Sequence, residues 1–388
     1  MIKTFFFAFA LLALTGLGAV SQPAAAQSAI ETPASHALLM DYETGLILFE
    51  KKGRERMIPA SMTKMMTVYI LFDKLKKGEL TMDSTFRVSE SAWGKGTSEE
   101  SMMYADLNSE LRVEDLLRGI IILSGNDACI VVAEGISGSE AAFAELMNEK
   151  AKELGMTGSH FANSHGLEAP DHYSTPYDMA ILARAIIRDF PEYYPIFAEK
   201  EFTWNKIKQY NRNPLLHTMA GADGLKTGHL GVSGFALTGS AVVNGQRLIV
   251  VVNGLSSEKE RAGESQRLLE LGFREFKSYA LFKPGDVVGE AEVWDGSNDK
   301  IALAVRQPLT VMMRNADRKQ LKVTYSYQGP VTAPITNGQE IGTLSIALPG
   351  REAIKAPLFA ASEVERAGLF SRILNAVSLA LTGPPEPK

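Results

Sequence analysis

The sequence contains a single cysteine, Cys129, among its 388 residues. No disulfide can therefore form within one chain, and the stability of the fold must come from its hydrophobic core. Cys129 lies in an apolar stretch, where a small buried hydrophobe is expected and nothing nearby would stabilise a thiolate. A thiol-based active site is not predicted.

An excess of positive charge and a metal-binding spacing of histidines are also missing. Lys and Arg number 40 against 45 Asp and Glu, which gives a net charge of -5. This balance argues against nucleic acid as the main partner. The six histidines include no His-Glu-x-x-His, the spacing of a helical zinc site. We expect neither a metal nor a cofactor.

A continuous apolar run occurs at the start of the chain, from Phe5 to Leu14, after the positive Lys3. Small residues follow and end in Ala24-Ala25-Ala26-Gln27. This order predicts a secretory signal peptide over 1–26, cut after Ala26, and hence an exported protein. The alternative is an uncleaved membrane anchor.

The mature chain shows strands first, helices in the middle, and then strands and a helix. Hairpins are predicted over 36–50 and around Asn244-Gly245, with strands over 234–243 and 247–255. The predicted helices cover 59–77, 113–123, 127–136, 141–154, 175–188 and 264–276. This order predicts an α+β domain over 27–281, with an antiparallel sheet covered by helices.

Pro284-Gly285 marks a change of pattern. Short β segments separated by Gly and Pro turns follow, which predicts a small all-β domain over 282–358. In the tail, Phe370, Ile373, Val377 and Leu381 fall on one face of an amphipathic helix predicted over 361–383. The apolar run is too interrupted to span a bilayer, so we expect a helix lying in a membrane interface. The alternative is a helix packed against its own domain.

Three short motifs carry the chemistry: Ser61-Met62-Thr63-Lys64, Ser124-Gly125-Asn126 and Lys226-Thr227-Gly228. Residues i and i+3 are neighbours on a helix, so Ser61 and Lys64 pair a hydroxyl with an ammonium. Ser61 is then the candidate nucleophile and Lys64 its base, if burial or a second cation lowers the pKa of Lys64. Each motif alone also fits a purely structural role, such as a helix start or a strand entry, but the three together favour catalysis.

The remaining motif residues have expected roles around this pair. Lys226 would be the second cation, and Ser124 would pass a proton between Lys64 and the leaving group. Asn126 would hold a substrate amide or Lys64 itself. The backbone N–H groups of Ser61 and His229 are the natural donors to an oxyanion. We also expect the polar segment 93–103 to form a loop beside the site.

These residues resemble the serine-type D-alanyl-D-alanine carboxypeptidases of peptidase family S11, which are low-molecular-mass penicillin-binding proteins. The resemblance covers nearly the whole mature chain. The segments that carry it are Pro59-Ala60-Ser61-Met62-Thr63-Lys64, Ser124-Gly125-Asn126-Asp127-Ala128, Asn163-Ser164-His165-Gly166-Leu167 and Lys226-Thr227-Gly228-His229.

The resemblance implies a β-lactamase/transpeptidase-like catalytic domain, a β domain beneath it, and a C-terminal helix that attaches peripherally to the periplasmic face of the bacterial inner membrane. It implies removal of the terminal D-alanine from peptidoglycan pentapeptide through an acyl-enzyme on Ser61, with β-lactams such as penicillin as covalent inhibitors. Lys226, Thr227 and Gly228 would line the substrate site. Arg261 would help Thr227 hold the substrate carboxylate.

Three alternatives remain at this stage. A β-lactamase would use the same nucleophile, but Gly125 stands where class A enzymes carry Asp, and the extra β domain and tail also argue against it. An endopeptidase would cut peptide cross-links with the same residues. A catalytically idle wall-binding scaffold is the third alternative, against which the intact motifs argue.

Overall fold

The computed structural model describes residues 30–94, 101–349 and 352–368. Its helices are α1 (Lys64–Lys76), α2 (Glu90–Gly94), α3 (Val113–Ile121), α4 (Asn126–Ser137), α5 (Glu140–Glu153), α6 (Pro176–Asp189), α7 (Leu215–Thr218) and α8 (Glu258–Glu275). Short 3-10 turns lie at Ala60–Thr63, Tyr194–Ala198 and Asn315–Gln320. The predicted signal peptide lies outside the described residues.

The strands fall into two groups. Those of the first region are β1 (His36–Asp41), β2 (Ile47–Lys51), β3 (Thr85–Arg87), β4 (Glu110–Arg112), β5 (Glu201–Trp204), β6 (Ile207–Tyr210), β7 (Ala222–Leu230), β8 (Gly234–Val243) and β9 (Gln246–Leu255). Those of the second are β10 (Phe276–Phe282), β11 (Val287–Trp294), β12 (Lys300–Ala304), β13 (Leu309–Arg314), β14 (Lys322–Tyr327), β15 (Val331–Thr332), β16 (Glu340–Ala347) and β17 (Ile354–Ala360).

A five-stranded antiparallel sheet forms the centre of the first region, in the order β2-β1-β9-β8-β7. Asn244 and Gly245 join β8 to β9 with φ values of 51° and 78°. Positive φ at both positions is the signature of the type I′ turn, which suits the twist of a hairpin. Both predicted hairpins are confirmed, and so is the α+β class.

Helices cover both faces of this sheet. Leu38 and Met40 belong to the same buried cluster as the apolar side chains of α1. The intervening Leu39 points to the opposite face, where its side chain closes on the backbone of Gly272 in α8. Helix α1 is buried on nearly all sides, which is why its sequence lacks a strongly polar face. The nucleophile motif therefore stands at the end of the most enclosed helix of the region.

Three boundaries differ from the sequence prediction. The first turn of the helix predicted from Pro59 is a 3-10 turn, with Ala60 at a φ of 48°. Lys226-Thr227-Gly228 is expected from the sequence just before or at the start of a strand, but it lies in the middle of β7. Helix α8 begins at Glu258, six residues earlier than predicted, because the Ser257 hydroxyl accepts from the backbone N–H of Glu260 and caps it.

The second region is all-β, as predicted. Strands β14, β16, β17, β12, β11 and β15 form one sheet in that order, and β10 pairs with β13. Its pairing reaches from Phe276 to Arg366, which bridges to Gly296. This span is wider than the predicted 282–358.

The predicted C-terminal helix needs a correction at its start. Val364 forms a β-bridge with Ile335, and the residues from 361 to 368 contain no helical turn. These residues pair with the β region because Val364 is a buried member of its core. The rest of that prediction lies outside the described residues. Within the described ranges, no helix combines the length and the apolar character needed to cross a membrane.

Candidate active site

The turn that carries Ser61 is held tightly from two sides. A Cβ at Gly228 of β7 would lie 2.8 Å from the carbonyl oxygen of Pro59, and one at Gly166 would lie 2.0 Å from that of Ala60. Only glycine allows these close approaches. Ala60, which both glycines approach, has a left-handed backbone. The two glycines therefore bring β7 and the 163–167 loop against the nucleophile turn.

The ammonium of Lys64 lies at the centre of the site, with its side chain fully buried. Its Nζ lies 2.9 Å from the Ser61 Oγ, 2.7 Å from the Asn126 Oδ1 and 2.6 Å from the carbonyl oxygen of His165. Of the two roles expected for Asn126, contact with Lys64 is the one present. The contact with the His165 carbonyl could not be predicted from the sequence, because every residue has a backbone carbonyl and the side-chain pattern does not distinguish this one.

The three oxygen atoms around the Lys64 Nζ differ in whether they can also donate a hydrogen bond. The amide oxygen of Asn126 and the carbonyl oxygen of His165 can only accept hydrogen bonds, whereas the hydroxyl of Ser61 can accept or donate. A neutral amine has two N–H groups and one lone pair. With its two N–H groups directed at the two oxygens, its lone pair faces the hydroxyl proton of Ser61. The arrangement thus fits an amine that receives a proton from Ser61.

Lys226 provides a second buried ammonium in the same site, at 3% exposure. Burial holds the pKa of Lys226 well below its ordinary value, and the positive charges of Lys64, Arg212 and Arg261 lower it further. The Lys226 Nζ donates to the carbonyl oxygen of Thr227 at 3.2 Å. Several basic groups thus lie close enough to interact, and such a concentration of basic groups favours an anionic substrate.

Ser124 occupies the junction between α3 and α4, with a φ of 62° and 2% exposure. A left-handed serine is uncommon and marks a constrained position. The next residues are held by Asp127, whose carboxylate accepts from the backbone N–H groups of Met103, Ala105 and Ala128 at 2.9–3.0 Å. Segment 101–105 is thereby fixed against the Ser124 motif. Residues 95–100 of the predicted loop lie outside the described residues.

Arg261 lies in the first turn of α8 with 5% exposure. Its guanidinium lies 5.7 Å over the ring of Phe235, which in turn stacks on His229 at 4.0 Å between ring centroids. Glu258 is 3.7 Å away, and no acceptor among the described residues contacts the buried Nε. Burial lowers the pKa of Arg261, with a partly compensating charge from Glu258.

An unmet donor on a buried guanidinium is costly unless an anion fills the place. Thr227 is buried on β7, and His229 follows on the same strand as an exposed residue. Stacking through Phe235 places Arg261 on the His229 side of β7. Thr227 and His229 are two residues apart on one strand and face the same side of β7, so Arg261 lies on the side that carries both.

The 163–167 loop is held in place by side chains from elsewhere in the chain, which its own sequence does not identify. The Glu140 Oε1 accepts from both the backbone N–H and the hydroxyl of Ser164, and it lies 3.2 Å from the His165 Nε2. The Thr67 hydroxyl donates to the carbonyl oxygen of Ser164 at 2.6 Å. The run of polar residues Asn163-Ser164-His165 is the feature of the sequence that could have indicated these contacts, because polar groups that become buried require hydrogen-bond partners.

No group of three or more His, Cys, Asp or Glu side chains within the described ranges is placed to hold a metal ion.

Comparison with known proteins identifies the family of the chain. Residues 21–257 match the family model described as D-alanyl-D-alanine carboxypeptidase, and residues 276–366 match that of the penicillin-binding protein 5 C-terminal domain. The chain is 39% identical to the D-alanyl-D-alanine carboxypeptidase DacC of Escherichia coli, over 92% of this chain and 91% of that protein.

Solved structures give the same result. The crystal structure of penicillin-binding protein 5 from Haemophilus influenzae matches with a TM-score of 0.75 and 38% identity, over 87% of this chain and 99% of that one. Penicillin-binding protein D2 from Listeria monocytogenes, in its ampicillin-bound form, matches with a TM-score of 0.57 and 28% identity, over 63% of this chain and 98% of that one. The chain therefore belongs to the peptidase S11 family of D-alanyl-D-alanine carboxypeptidases.

Proposed function

We propose that this enzyme removes the terminal D-alanine from peptidoglycan pentapeptide through an acyl-enzyme on Ser61. The observation that carries the proposal is the set of contacts around the Lys64 Nζ, which lies within hydrogen-bond distance of two acceptor oxygens and of the Ser61 hydroxyl. When Lys64 is neutral, this set leaves its lone pair for the hydroxyl proton. A serine hydroxyl becomes a nucleophile only when a base accepts its proton. Lys64 is that base.

In the first step the Ser61 Oγ attacks the carbonyl carbon before the terminal D-alanine, and its proton passes to the Lys64 Nζ. The oxyanion is stabilised by the backbone N–H groups of Ser61 and His229. Among the residues that the structure describes, β7 is the last strand of its sheet, so no strand of that part pairs with the backbone groups on its outer edge. This free edge beside the Ser61 turn supports the choice of His229.

In the second step the carbon–nitrogen bond breaks and the D-alanine nitrogen takes a proton from Lys64 through Ser124. Water then attacks the acyl carbon and gives a proton to Lys64. The bond between that carbon and the Ser61 Oγ breaks, Lys64 returns the proton to the Ser61 Oγ, and the shortened peptide leaves. A β-lactam acylates Ser61 in the same way, with opening of its amide ring. The ampicillin-bound relative from Listeria monocytogenes supports this part of the proposal.

The substrate is held by its terminal carboxylate. Arg261 has a planar guanidinium with a donor that lacks a partner among the described residues, and Thr227 adds a hydroxyl. Guanidinium and hydroxyl donors suit a carboxylate. An endopeptidase substrate continues beyond this point as a peptide, so a cation there would contribute little. We therefore favour the carboxypeptidase over the endopeptidase and over a β-lactamase.

Release of D-alanine from a pentapeptide, measured beside the rate of penicillin turnover, tests this assignment. A carboxypeptidase releases D-alanine many times per active site and turns penicillin over slowly. Rapid penicillin hydrolysis without D-alanine release would instead identify a β-lactamase. Cleavage of a cross-linked dimer in preference to the pentapeptide would identify an endopeptidase.

We further propose that the protein is exported and attaches peripherally to the periplasmic face of the inner membrane through residues after Gly368. Truncation after Gly368 keeps the bridge of Val364 in the β region, whereas truncation before Glu363 would remove it. The truncated protein should appear in the soluble fraction with wild-type acylation by penicillin. A truncated protein that still pellets with membranes would rule out this mode of attachment.

A further inference from the structure

His172 is a buried imidazole close to the nucleophile turn, with 4% exposure. Its Nδ1 accepts from the backbone N–H of Ala162 at 3.0 Å, and its Nε2 lies 2.8 Å from the Thr63 Oγ1. A backbone N–H can only donate, so Nδ1 carries no proton. In the neutral ring the proton is then on Nε2 and is donated to the Thr63 hydroxyl.

The surroundings keep this ring neutral. Burial lowers the pKa of His172 to about 4, and the charges of His160 and Lys64 act in the same direction. The rings of His172 and Phe161 pack in a T-shaped arrangement with their centroids 5.9 Å apart. At neutral pH both hydrogen bonds of the imidazole are therefore present.

The two bonds join two separate pieces of chain. Thr63 lies in the turn between Ser61 and Lys64, and Ala162 precedes the 163–167 loop. The turn and loop are in close contact, since a Cβ at Gly166 would lie 2.8 Å from the Thr63 Oγ1. His172 is thus a brace of fixed length between the turn and the start of the loop.

Two of the contacts of Lys64 come from these same two pieces. The Ser61 Oγ belongs to the turn, and the carbonyl oxygen of His165 belongs to the loop. The distance between the amine and the nucleophile therefore depends on the spacing of turn and loop. A misplacement of about 1 Å in such a pair costs on the order of a hundredfold in rate.

We propose that His172 is a positioning residue for Lys64, which it serves by bracing the Ser61 turn against the loop that supplies the His165 carbonyl. The proposal rests on the role proposed above for Lys64 as the base. It does not give His172 any contact with substrate. Glu140 and Thr67 hold the middle of the loop at Ser164, and His172 adds a direct link from the loop's start to the turn.

Three variants test the brace. His172→Leu removes both hydrogen bonds and keeps a buried side chain, whereas His172→Gln keeps a neutral acceptor and a neutral donor on one group. Phe161→Leu is the matched control, because it perturbs the packing around the ring and leaves both hydrogen bonds possible. Stopped-flow acylation by benzylpenicillin separates the rate constant of acylation from the dissociation constant of the complex formed before it. Thermal unfolding of each variant gives its stability.

We expect His172→Leu to lower the acylation rate constant about 10- to 100-fold, with the dissociation constant within about twofold of wild type. His172→Gln should stay within about threefold of wild type in both quantities. Phe161→Leu should acylate at the wild-type rate even where it loses as much stability as His172→Leu. A wild-type rate in His172→Leu, or an equal loss in Phe161→Leu, would overturn the proposal.

Two further variants keep the test decisive. If His172→Leu does not fold, Thr63→Val removes the other end of the brace at nearly constant volume and should slow acylation in the same way. A normal rate in Thr63→Val then overturns the proposal. Lys64→Arg distinguishes a failure of the proposed function from a failure of the brace. Normal acylation in Lys64→Arg refutes Lys64 as the base. Slow acylation in Lys64→Arg with normal acylation in His172→Leu refutes the brace alone.

Discussion

The catalytic region, residues 33–275, and the all-β region, residues 276–366, bury different kinds of side chain. Polar and charged groups are buried throughout the first, among them Lys64, Lys226 and Arg261. In the described part of the second, Asp317 is the single buried polar or charged residue. The other buried residues of its described part are apolar, with Leu344, Leu303 and Leu358 fully buried.

The difference shows that a protein interior can either position functional groups or supply apolar packing. Burying a charge costs stability unless the group is well paired, and it is retained where its position serves a function. The catalytic region accepts that cost to hold an amine beside a hydroxyl. The described part of the β region buries almost no such groups, and its interior is filled by apolar side chains. Substitutions in the first region should therefore change rates, and those in the second should change the free energy of unfolding.

The comparison can be tested most sharply at Lys64. Lys64→Arg keeps the positive charge, but a guanidinium does not release its proton and cannot act as a base. Acylation by penicillin should fall by about 10²- to 10⁴-fold, the range for a lost general base. Lys77→Arg, on an exposed lysine just after the same helix, is the control and should acylate normally. Near-normal acylation in Lys64→Arg would mean that another group is the base.

The opposite result is expected at Leu344 in the β region. Leu344→Ala leaves a cavity in an apolar core and should lower the free energy of unfolding by about 2–5 kcal/mol, with no change in the acylation rate of the folded protein. Urea unfolding and stopped-flow acylation measure the two effects. The exposed Val323→Ala on β14 is the control, with a change within about 0.5 kcal/mol. A slowed acylation in folded Leu344→Ala would show that the two regions are not separable.

Arg261 tests whether a buried charge serves binding. If it holds the substrate carboxylate, Arg261→Ala should cost about 2–4 kcal/mol in kcat/KM for pentapeptide. The loss should be far smaller on a peptide whose terminal carboxylate is amidated, because the wild-type enzyme cannot use the contact there. Arg274→Ala, on the exposed end of the same helix, should change neither substrate. Equal losses on both peptides would make Arg261 structural and reopen the endopeptidase alternative.

The smallest effect is expected from the acid titration of His172. Its pKa is lowered from 6.5 to about 4 in the folded protein, so between these values the unfolded chain binds more protons. The free energy of unfolding should then fall as pH decreases from about 6.5 to 4, by at most about 3 kcal/mol. His172→Gln lacks this titration and should show a shallower decline over the same range. Identical pH profiles for the two proteins would contradict the buried, neutral state of the ring.

The sequence predicted the parts of the molecule that local patterns determine. Thr175 and Pro176 gave the start of α6, because the Thr175 hydroxyl caps the helix and proline suits its first turn. Asn244-Gly245 gave the central hairpin for a similar reason, since both residues tolerate the left-handed backbone of the turn. The three motifs were selected by residue type and order.

Local patterns could not give the contacts that span the fold. Asn126 lies 62 residues from Lys64 in the chain and the His165 carbonyl lies 101 residues away, so the surroundings of the amine follow only from the packing of α1 against α4 and the loop. The early start of α8 depends on Ser257, a good N-cap residue three positions before Glu260, which the prediction did not use. His172 contacts the Thr63 hydroxyl and the backbone N–H of Ala162, which are 109 and 10 residues away in the chain. No sequence motif predicts such a pair of contacts.

Intact-mass analysis with peptide mapping, after incubation with benzylpenicillin, tests the central claim most directly. The wild-type protein should gain one penicilloyl group, on the peptide that contains Ser61. Ser61→Ala should gain none and should release no D-alanine from pentapeptide, while its thermal unfolding stays close to wild type. A covalent adduct that persists in folded Ser61→Ala, or one that maps to another serine in the wild-type protein, would contradict the account.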